Sequence, residues 1–286
     1  MREKWLVKIR EVVAQLCKEA NYGVREDVFQ ALKKAYQSEE EKLPRKVLRL
    51  ILENIRIARE EKIPLCQDTG MTEIFLEVGE GISIEGKLLE EALTQGVALG
   101  YRQGYLRKSV VKDPLFLRSN TQDNTPCLIH FFFGTQPAKK LKITVFPRGF
   151  GAENMTRLAL LSPSKGVRGV KEFVVEVVEE AGAKPCPPVI VGVGIGGTAQ
   201  RCIALSKRAL LRPLNSSSSH PEYAKLEKQL WEKINTLGIG PQGLGGKNTC
   251  LGVNIEYFPT HMAGLPVGVS ISCHALRQAS RVIELD

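Results

Sequence analysis

The sequence predicts a mixed α/β fold in which an N-terminal helical segment is followed by a mixed-sheet region. Three observations carry this. As far as Pro64, apolar residues recur at spacings of three and four. Beyond it, short alternating or continuous apolar runs bounded by glycine and proline take over. The composition, 43% hydrophobic and 25% charged with 26 Gly and 15 Pro in 286 residues, excludes disorder, collagen and coiled coil. The expected organisation is a single domain over 1–286, helical over 1–63 and mixed α/β over 64–286.

In order along the chain, Trp5, Ile9, Val12, Val13 and Leu16 mark one amphipathic helix, and Val24, Val28, Leu32 and Ala35 a second. A third starts near Pro44, a good first-turn residue, carries Val47, Leu48, Ile51, Ile55 and Ala58 inward, and is stopped by Pro64. Glu73 to Val78 and Cys127 to Gly134 read as strands, and Leu141, Ile143 and Val145 alternate with Lys142 and Thr144 as a strand does. Leu88 to Leu106 has helical spacing. So does the stripe Val167, Val170, Val174, Val177 and Val178, which ends at the expected C-cap Gly182. Val189 to Val193 is a short apolar strand entering a glycine turn, and Ala199 to Leu211 resumes a helix. Ser216 to Ser219 read as linker and cap before a helix that Pro221 opens and Tyr223, Leu226, Leu230 and Ile234 continue. The glycine-rich 238-GIGPQGLGG-246 is a long turn leading to a strand at Val253 to Tyr257, and Val267 to Cys273 reads as the last strand. No internal repeat is visible.

Forty Lys+Arg against 31 Asp+Glu give a formal charge of +9, but the basic residues interleave with Glu along helix faces. A solvated surface follows, with a nucleic-acid face or a funnel for anionic substrates as the alternatives. No uncharged apolar run reaches the roughly eighteen residues of a membrane span. The opening Met1-Arg2-Glu3-Lys4 leads into a charged amphipathic segment, so a cytoplasmic location is expected. The seven cysteines, at 17, 66, 127, 186, 202, 250 and 273, are odd in number and include no Cys-x-x-Cys. That argues against zinc ribbons and close-spaced redox or ferredoxin sites, and any cysteine cluster must be assembled from distant segments.

The segment 64-PLCQDTG-70 sets a thiol, an amide and a carboxylate in consecutive positions after a helix stop. Cys66 taken alone reads as a small buried hydrophobe rather than as a site residue. In 184-KPCPPVIVGVGIGG-197 two prolines deny Cys186 a helix or central strand and leave it on a rigid turn, and Cys273 ends a strand. Three cysteines at element ends suit a site that none could build alone. Gly192, Gly194 and Gly197 also match the dinucleotide pattern G-x-G-x-x-G between strand and helix. Such a site needs an acidic residue about twenty positions on. Thr198 through Pro221 contain no Asp or Glu, which leaves only a phosphorylated cofactor read by Arg208 or Arg212, and no second βαβ unit follows. Arg107 near a helix end reads as a dipole-complementing surface charge, and His261 in 258-FPTHMAG-264 as a turn cap or a site residue.

The ordered strings 66-CQDTG-70, 120-NTQDNTP-126, 149-GFGAEN-154, 186-CPP-188 with 194-GIGGTA-199, 243-GLGGKNTC-250 and 261-HMAGLPVGVSISC-273 resemble the α-subunit of the class I, iron–sulfur-dependent fumarate hydratases, a group that includes L-tartrate dehydratase. The resemblance runs from about residue 10 to the C-terminus. It implies a [4Fe-4S] cluster held by Cys66, Cys186 and Cys273, with one iron left open as a Lewis acid. Cys250 competes for the third ligand, and Cys17, Cys127 and Cys202 are expected to be structural thiols. The resemblance further implies that Gln67, Asp68, Arg107, Gly149 and His261 line the substrate pocket, with Asp68 and His261 catalytic, assisting proton movement or orienting the reacting oxygen. The expected reaction is reversible hydration of fumarate to L-malate, as in the tricarboxylic acid cycle, with L-tartrate dehydration as the nearest alternative. A nucleotide- or nucleic-acid-binding α/β protein is the non-enzyme alternative. Two segments depart from the family pattern: Pro147-Arg148-Gly149-Phe150-Gly151 replaces its lysine and triple glycine, and Gln122 stands before Asp123-Asn124-Thr125-Pro126 where it has glycine. Single-chain members carry a second domain with further arginines, a lysine and the proposed base, whereas this sequence ends at Asp286. A separate β-subunit is therefore expected, in a dimer of heterodimers acting on a small dicarboxylate.

Overall fold

The structure is a computed structural model that describes residues 2–83 and 85–285. Its elements are α1 (Arg2–Asn21), α2 (Glu26–Ser38), α3 (Lys42–Glu61), β1 (Met71–Val78), α4 (Gly86–Gln103), β2 (Leu128–Phe133), β3 (Lys140–Arg148), a short α5 (Phe150–Glu153), β4 (Arg157–Leu161), α6 (Gly166–Ala181), β5 (Val189–Gly196), α7 (Ala199–Leu211), α8 (Pro221–Asn235), β6 (Cys250–Phe258), β7 (Leu265–Ser272) and β8 (Ala279–Glu284). The fold is mixed α/β, with N-terminal helices preceding the sheets. The chain forms two compact units. The first comprises Met1–Arg25, Asn54–Phe150 and Arg277–Asp286, the second Glu26–Glu53 and Gly151–Leu276.

In the first unit the strands run in the order β2-β1-β3-β8. β1 is parallel to β2 and antiparallel to β3, and β3 is antiparallel to β8. Ile9, Val13 and Leu16 of α1 and Leu93 and Val97 of α4 share one buried core with Ile74, Leu76, Ile143 and Val145 of the sheet. The alternation read in β3 has its cause here, because Lys142 stands opposite Glu77 and its ammonium meets that carboxylate at 2.7 Å.

In the second unit the order is β4-β7-β5-β6, with β5 parallel to β6 and antiparallel to β7. Every residue of β5 is buried, which explains its unbroken apolar run. The glycine pattern in β5 has a packing role. A Cβ at Gly192 would lie 2.1 Å from the Ser206 carbonyl oxygen, and one at Gly194 would lie 2.0 Å from that of Cys202, so α7 rests directly on the strand. That contact accounts for the first two glycines of the dinucleotide-like pattern without a phosphate. Gly182 follows α6 and its N–H reaches the Val178 carbonyl at 3.1 Å. Thr198 caps α7, its side chain accepting from the Arg201 N–H.

The basic excess is partly met on helix surfaces by the i,i+4 pairs Arg56–Glu60, Arg168–Glu172 and Lys228–Glu232. No helix among the described residues is long and apolar enough to cross a membrane.

The strand ending at Ser272 is not the last, because β8 follows and pairs with β3. Its alternation is faint: among Ala279–Glu284 only Ile283 is buried, as suits an edge strand. β4 escapes notice for a related reason, being a five-residue edge strand of Leu and Ala, which carry little strand preference. α4 stops at Gln103, short of Leu106, where the Gly104 N–H closes on the Gly100 carbonyl at 2.9 Å and Tyr105 turns to φ +53°.

Candidate active site

In the first unit, residues 66–70 lead from the end of α3 into β1. The antiparallel pairing sets Met71 opposite Arg148, so the residues before β1 and those after β3 emerge side by side. Asp68 uses that adjacency: Oδ1 accepts the Gly70 N–H at 3.1 Å and Oδ2 accepts the Phe150 N–H at 2.8 Å. Gly149 has no room for a side chain. A Cβ there would stand 2.9 Å from Arg277 Nη2 and 3.1 Å from Asp68 Oδ2, which places the carboxylate, the glycine and the guanidinium in one spot.

The loop is pinned from below by buried polar groups. Tyr101 donates its hydroxyl to the Thr69 carbonyl at 2.6 Å, and burial pushes that phenol well above its ordinary pKa, so it remains a neutral donor. Thr69 Oγ1 donates to the Arg107 carbonyl at 2.6 Å, which fixes the Arg107 main chain beside the loop. Asn124 donates to the Gly70 carbonyl at 3.1 Å and accepts the Ser109 N–H at 2.7 Å. Arg277, only 3% exposed, donates through Nη1 to the Asp68 carbonyl and, at 3.2 Å, to Asn21 Oδ1, while its Nε has no hydrogen-bond partner. Above these anchors the side chains of Gln67 and Arg107 are exposed. Thus Asp68, Arg107 and Gly149, three of the sequence candidates, are drawn together by main-chain contacts, with Gln67 in the same loop.

In the second unit, the Cys186 N–H closes a turn on the Ala183 carbonyl at 3.0 Å, and Cys186 takes φ +54°. Gln242, at φ +55°, donates its backbone N–H to the Pro187 carbonyl at 2.7 Å and its Nε2 to the same oxygen at 3.2 Å. Left-handed conformations at two non-glycine residues each cost about 1–3 kcal/mol and persist only where the surroundings over-determine them. His274 supplies another restraint: its Nδ1 lies 2.9 Å from the Cys186 carbonyl oxygen and its backbone N–H 3.5 Å from the same atom. Because a carbonyl can only accept, the shorter contact assigns the ring proton to Nδ1. The residue after Cys273 is thereby tied to Cys186. The glycine turn that carries Gln242 is held in turn by Glu39, which is 2% exposed and accepts the Lys247 N–H at 3.2 Å and Asn248 Nδ2 at 2.7 Å. His261 is exposed between β6 and β7, its Nδ1 accepting the Ala263 N–H at 3.2 Å as a turn cap does.

The seven cysteines divide by environment. Cys17, Cys127, Cys202 and Cys250 are buried, whereas Cys66 and Cys273 are half-buried and Cys186 is exposed. Burial pushes the thiols of Cys17 and Cys127 upward and those of Cys202 and Cys250 up to about 12. A group that resists becoming a thiolate is a poor metal ligand, so these four suit packing. Cys202 and Cys250 donate instead to the carbonyls of Gly194 and Gly252, at 2.9 and 3.3 Å. The remaining three have the accessibility a cluster requires, and their donor chemistry fits one. Cys66 belongs to the first unit and Cys186 and Cys273 to the second. Among the described residues no group of three or more His, Cys, Asp or Glu forms a ready-made site for a metal ion.

Four contributors escape sequence reasoning. Tyr101 and Arg277 carry no motif signal, since each acts through partners far along the chain. Gln242 and His274 lie in or beside quoted strings, where only the left-handed turn and the carbonyl contact reveal their use.

Comparison with known proteins identifies the family of the chain. The family described as "Fumarate hydratase (Fumerase)" matches residues 10–282, which makes the chain an enzyme of the hydro-lyase class. It is 44% identical over 285 residues to the "Putative L(+)-tartrate dehydratase subunit alpha" of Methanocaldococcus jannaschii, covering 98% of this chain and 99% of that one. Against the L(+)-tartrate dehydratase subunit alpha of Escherichia coli strain K12, identity is 33% over 281 residues, 98% and 92% of the two chains. The protein of that name from Shigella boydii serotype 4 matches to the same extent. The chain belongs to the fumarate hydratase (Fumerase) family, and the non-enzyme alternative falls away.

Proposed function

We propose that this chain is the cluster-bearing α-subunit of a class I fumarate hydratase that interconverts fumarate and L-malate, the step it would contribute to the tricarboxylic acid cycle. The observation that carries the reading is the sorting of seven cysteines into four buried thiols and three accessible ones, the latter being those the family motifs select. A [4Fe-4S] cluster on Cys66, Cys186 and Cys273 would supply a Lewis-acidic iron toward the substrate hydroxyl.

The chain's own residues bind and orient. Arg107 and the Gln67 amide meet a substrate carboxylate, and the main chain at Gly149 accepts close approach because it bears no side chain. Asp68, its two oxygens held by main-chain N–H groups, presents a fixed carboxylate for holding or passing a proton. His261 is the second proton-handling group. A dicarboxylate brings two negative charges against Arg107 and Asp68, too little cationic charge once water is excluded. We therefore assign the remaining cations and the base to a β-subunit, in a cytoplasmic dimer of heterodimers.

L-Tartrate dehydration is the second reading, favoured by the names of the relatives. The test is anaerobic turnover of fumarate, L-malate and L-tartrate by α alone and by α plus β at equal iron content. Turnover of fumarate and malate only with β present supports the proposal. Turnover of tartrate alone supports the second reading, and full activity from α alone overturns the split site.

A further inference from the structure

The glycine-rich turn 238–246 is a conspicuous motif to which the reaction assigns no task, and its contacts point somewhere definite. It carries Gln242 in a left-handed conformation to the Pro187 carbonyl, which it reaches with both backbone and side-chain N–H. His274 in turn holds the Cys186 carbonyl through ring and backbone. We infer that Gln242 and His274 are positioning residues forming a clamp that fixes Cys186 and Cys273 relative to one another before any metal arrives. This rests on the reading that these two cysteines are cluster ligands.

The physical case is over-determination. Cys186 sits at φ +54°, a conformation an L-residue leaves unless something holds it. What holds it is the hydrogen bonding of its own carbonyl to the residue following Cys273 and of the next carbonyl to Gln242. The clamp acts on main-chain carbonyls rather than on the sulfurs, of which Cys186 is exposed and Cys273 half-buried. Cys186 is the exposed cysteine of the chain's seven, set between the buried Pro185 and Pro187, so packing fixes its neighbours while these hydrogen bonds fix its own main chain. Outer-shell hydrogen bonds of this kind set ligand geometry at metal sites, and their loss commonly lowers metal retention tenfold or more.

The test uses the full chain reconstituted anaerobically with ferrous iron and sulfide. His274→Leu removes the donor. His274→Asn places an amide N–H where Nδ1 stood. Gln242→Gly keeps the left-handed backbone and its N–H and removes only the side chain, so it folds. Expected are iron release to a chelator about tenfold or more faster in His274→Leu, an altered electron paramagnetic resonance line shape of its oxidised cluster, recovery of both in His274→Asn, and an intermediate rate in Gln242→Gly. Release and spectrum unchanged in His274→Leu, or no recovery in His274→Asn, overturns the clamp. A metal-free measurement separates this from failure of the cluster reading: bridging of Cys186 to Cys273 in the apo-chain by a short bifunctional thiol reagent, mapped by peptide mass spectrometry. Fast bridging in wild type and His274→Asn, slowed several-fold in His274→Leu and Gln242→Gly, sustains the clamp even if the wild-type chain takes up no cluster. Equal rates, or no bridging in wild type, overturn it.

Discussion

The two halves of the candidate residue set, one in each compact unit, are held by opposite means. The loop 66–70 of the first unit is held by buried polar side chains, Tyr101, Asn124 and Arg277, each donating to a loop carbonyl. Cys186 is exposed and left-handed, and its turn is held by hydrogen bonds from Gln242 and His274 to the Pro187 and Cys186 carbonyls. A buried network is stiff because every unmet donor or acceptor in it is costly. An exposed residue such as Cys186 escapes that penalty, and its main chain is fixed by a few geometric restraints between buried prolines. The first half should therefore respond to mutation in stability and activity together, and the second in metal retention with the fold intact.

The sharpest break in that comparison comes from the ligands. Cys66→Ser, Cys186→Ser and Cys273→Ser are each expected to abolish a stable cluster, because three ligands leave none to spare, while Cys250→Ser retains iron. Iron and sulfide per chain after anaerobic reconstitution decides, and iron lost from the 250 variant but kept in the 273 variant reverses the assignment. Next in size is Arg277→Met, which leaves the Asp68 carbonyl and Asn21 Oδ1 without their charged donor. Urea unfolding should show a loss of about 2 kcal/mol, and turnover should fall on the order of a hundredfold through misplacement of Asp68. Unchanged kinetics in a destabilised variant would reduce Arg277 to a structural role. Gly149→Ala probes the same spot with one methyl group, since its Cβ meets Arg277 Nη2 at 2.9 Å and Asp68 Oδ2 at 3.1 Å. A fall in kcat/KM of about tenfold, worth about 1.4 kcal/mol, is expected with a smaller change in stability.

The smallest effect concerns the buried thiols. Cys202 and Cys250 titrate at about 12 when folded against the ordinary 9.0. A raised folded value means that the neutral form is favoured by the fold, so their contribution is complete below pH 9.0 and is lost progressively as pH rises toward 12. The urea midpoint should decline across that window, and Cys250→Ala should flatten the decline. A slope identical to wild type would mean that Cys250 is not titrating there.

How far the sequence discloses this molecule follows from the range of the forces involved. α7 spans the predicted Ala199 to Leu211, and β5 contains the predicted Val189 to Val193, because periodicity and burial act over neighbouring residues. β4 and β8 are obscured because edge strands bury little and so carry weak alternation. Among the candidate residues, Cys66, Cys186 and Cys273 are legible as thiols at element ends, and Asp68 as a polar residue in a loop. Arg277 is not, since its contact with the Asp68 carbonyl spans 209 residues and nothing near either residue announces it. His274 follows a candidate ligand, yet its purpose lies in a carbonyl 88 residues away.

The division of the cysteines has a consequence for biogenesis. A nascent chain offers seven interchangeable sulfurs to whatever delivers iron, and most choices of three would trap metal in the wrong place. Once both cores have closed, four of those sulfurs lie hidden as reluctant acids. On the proposed ligand assignment, concealment makes the choice: folding first and metal second gives one address, whereas iron arriving ahead of the core meets a chain that cannot tell its sulfurs apart.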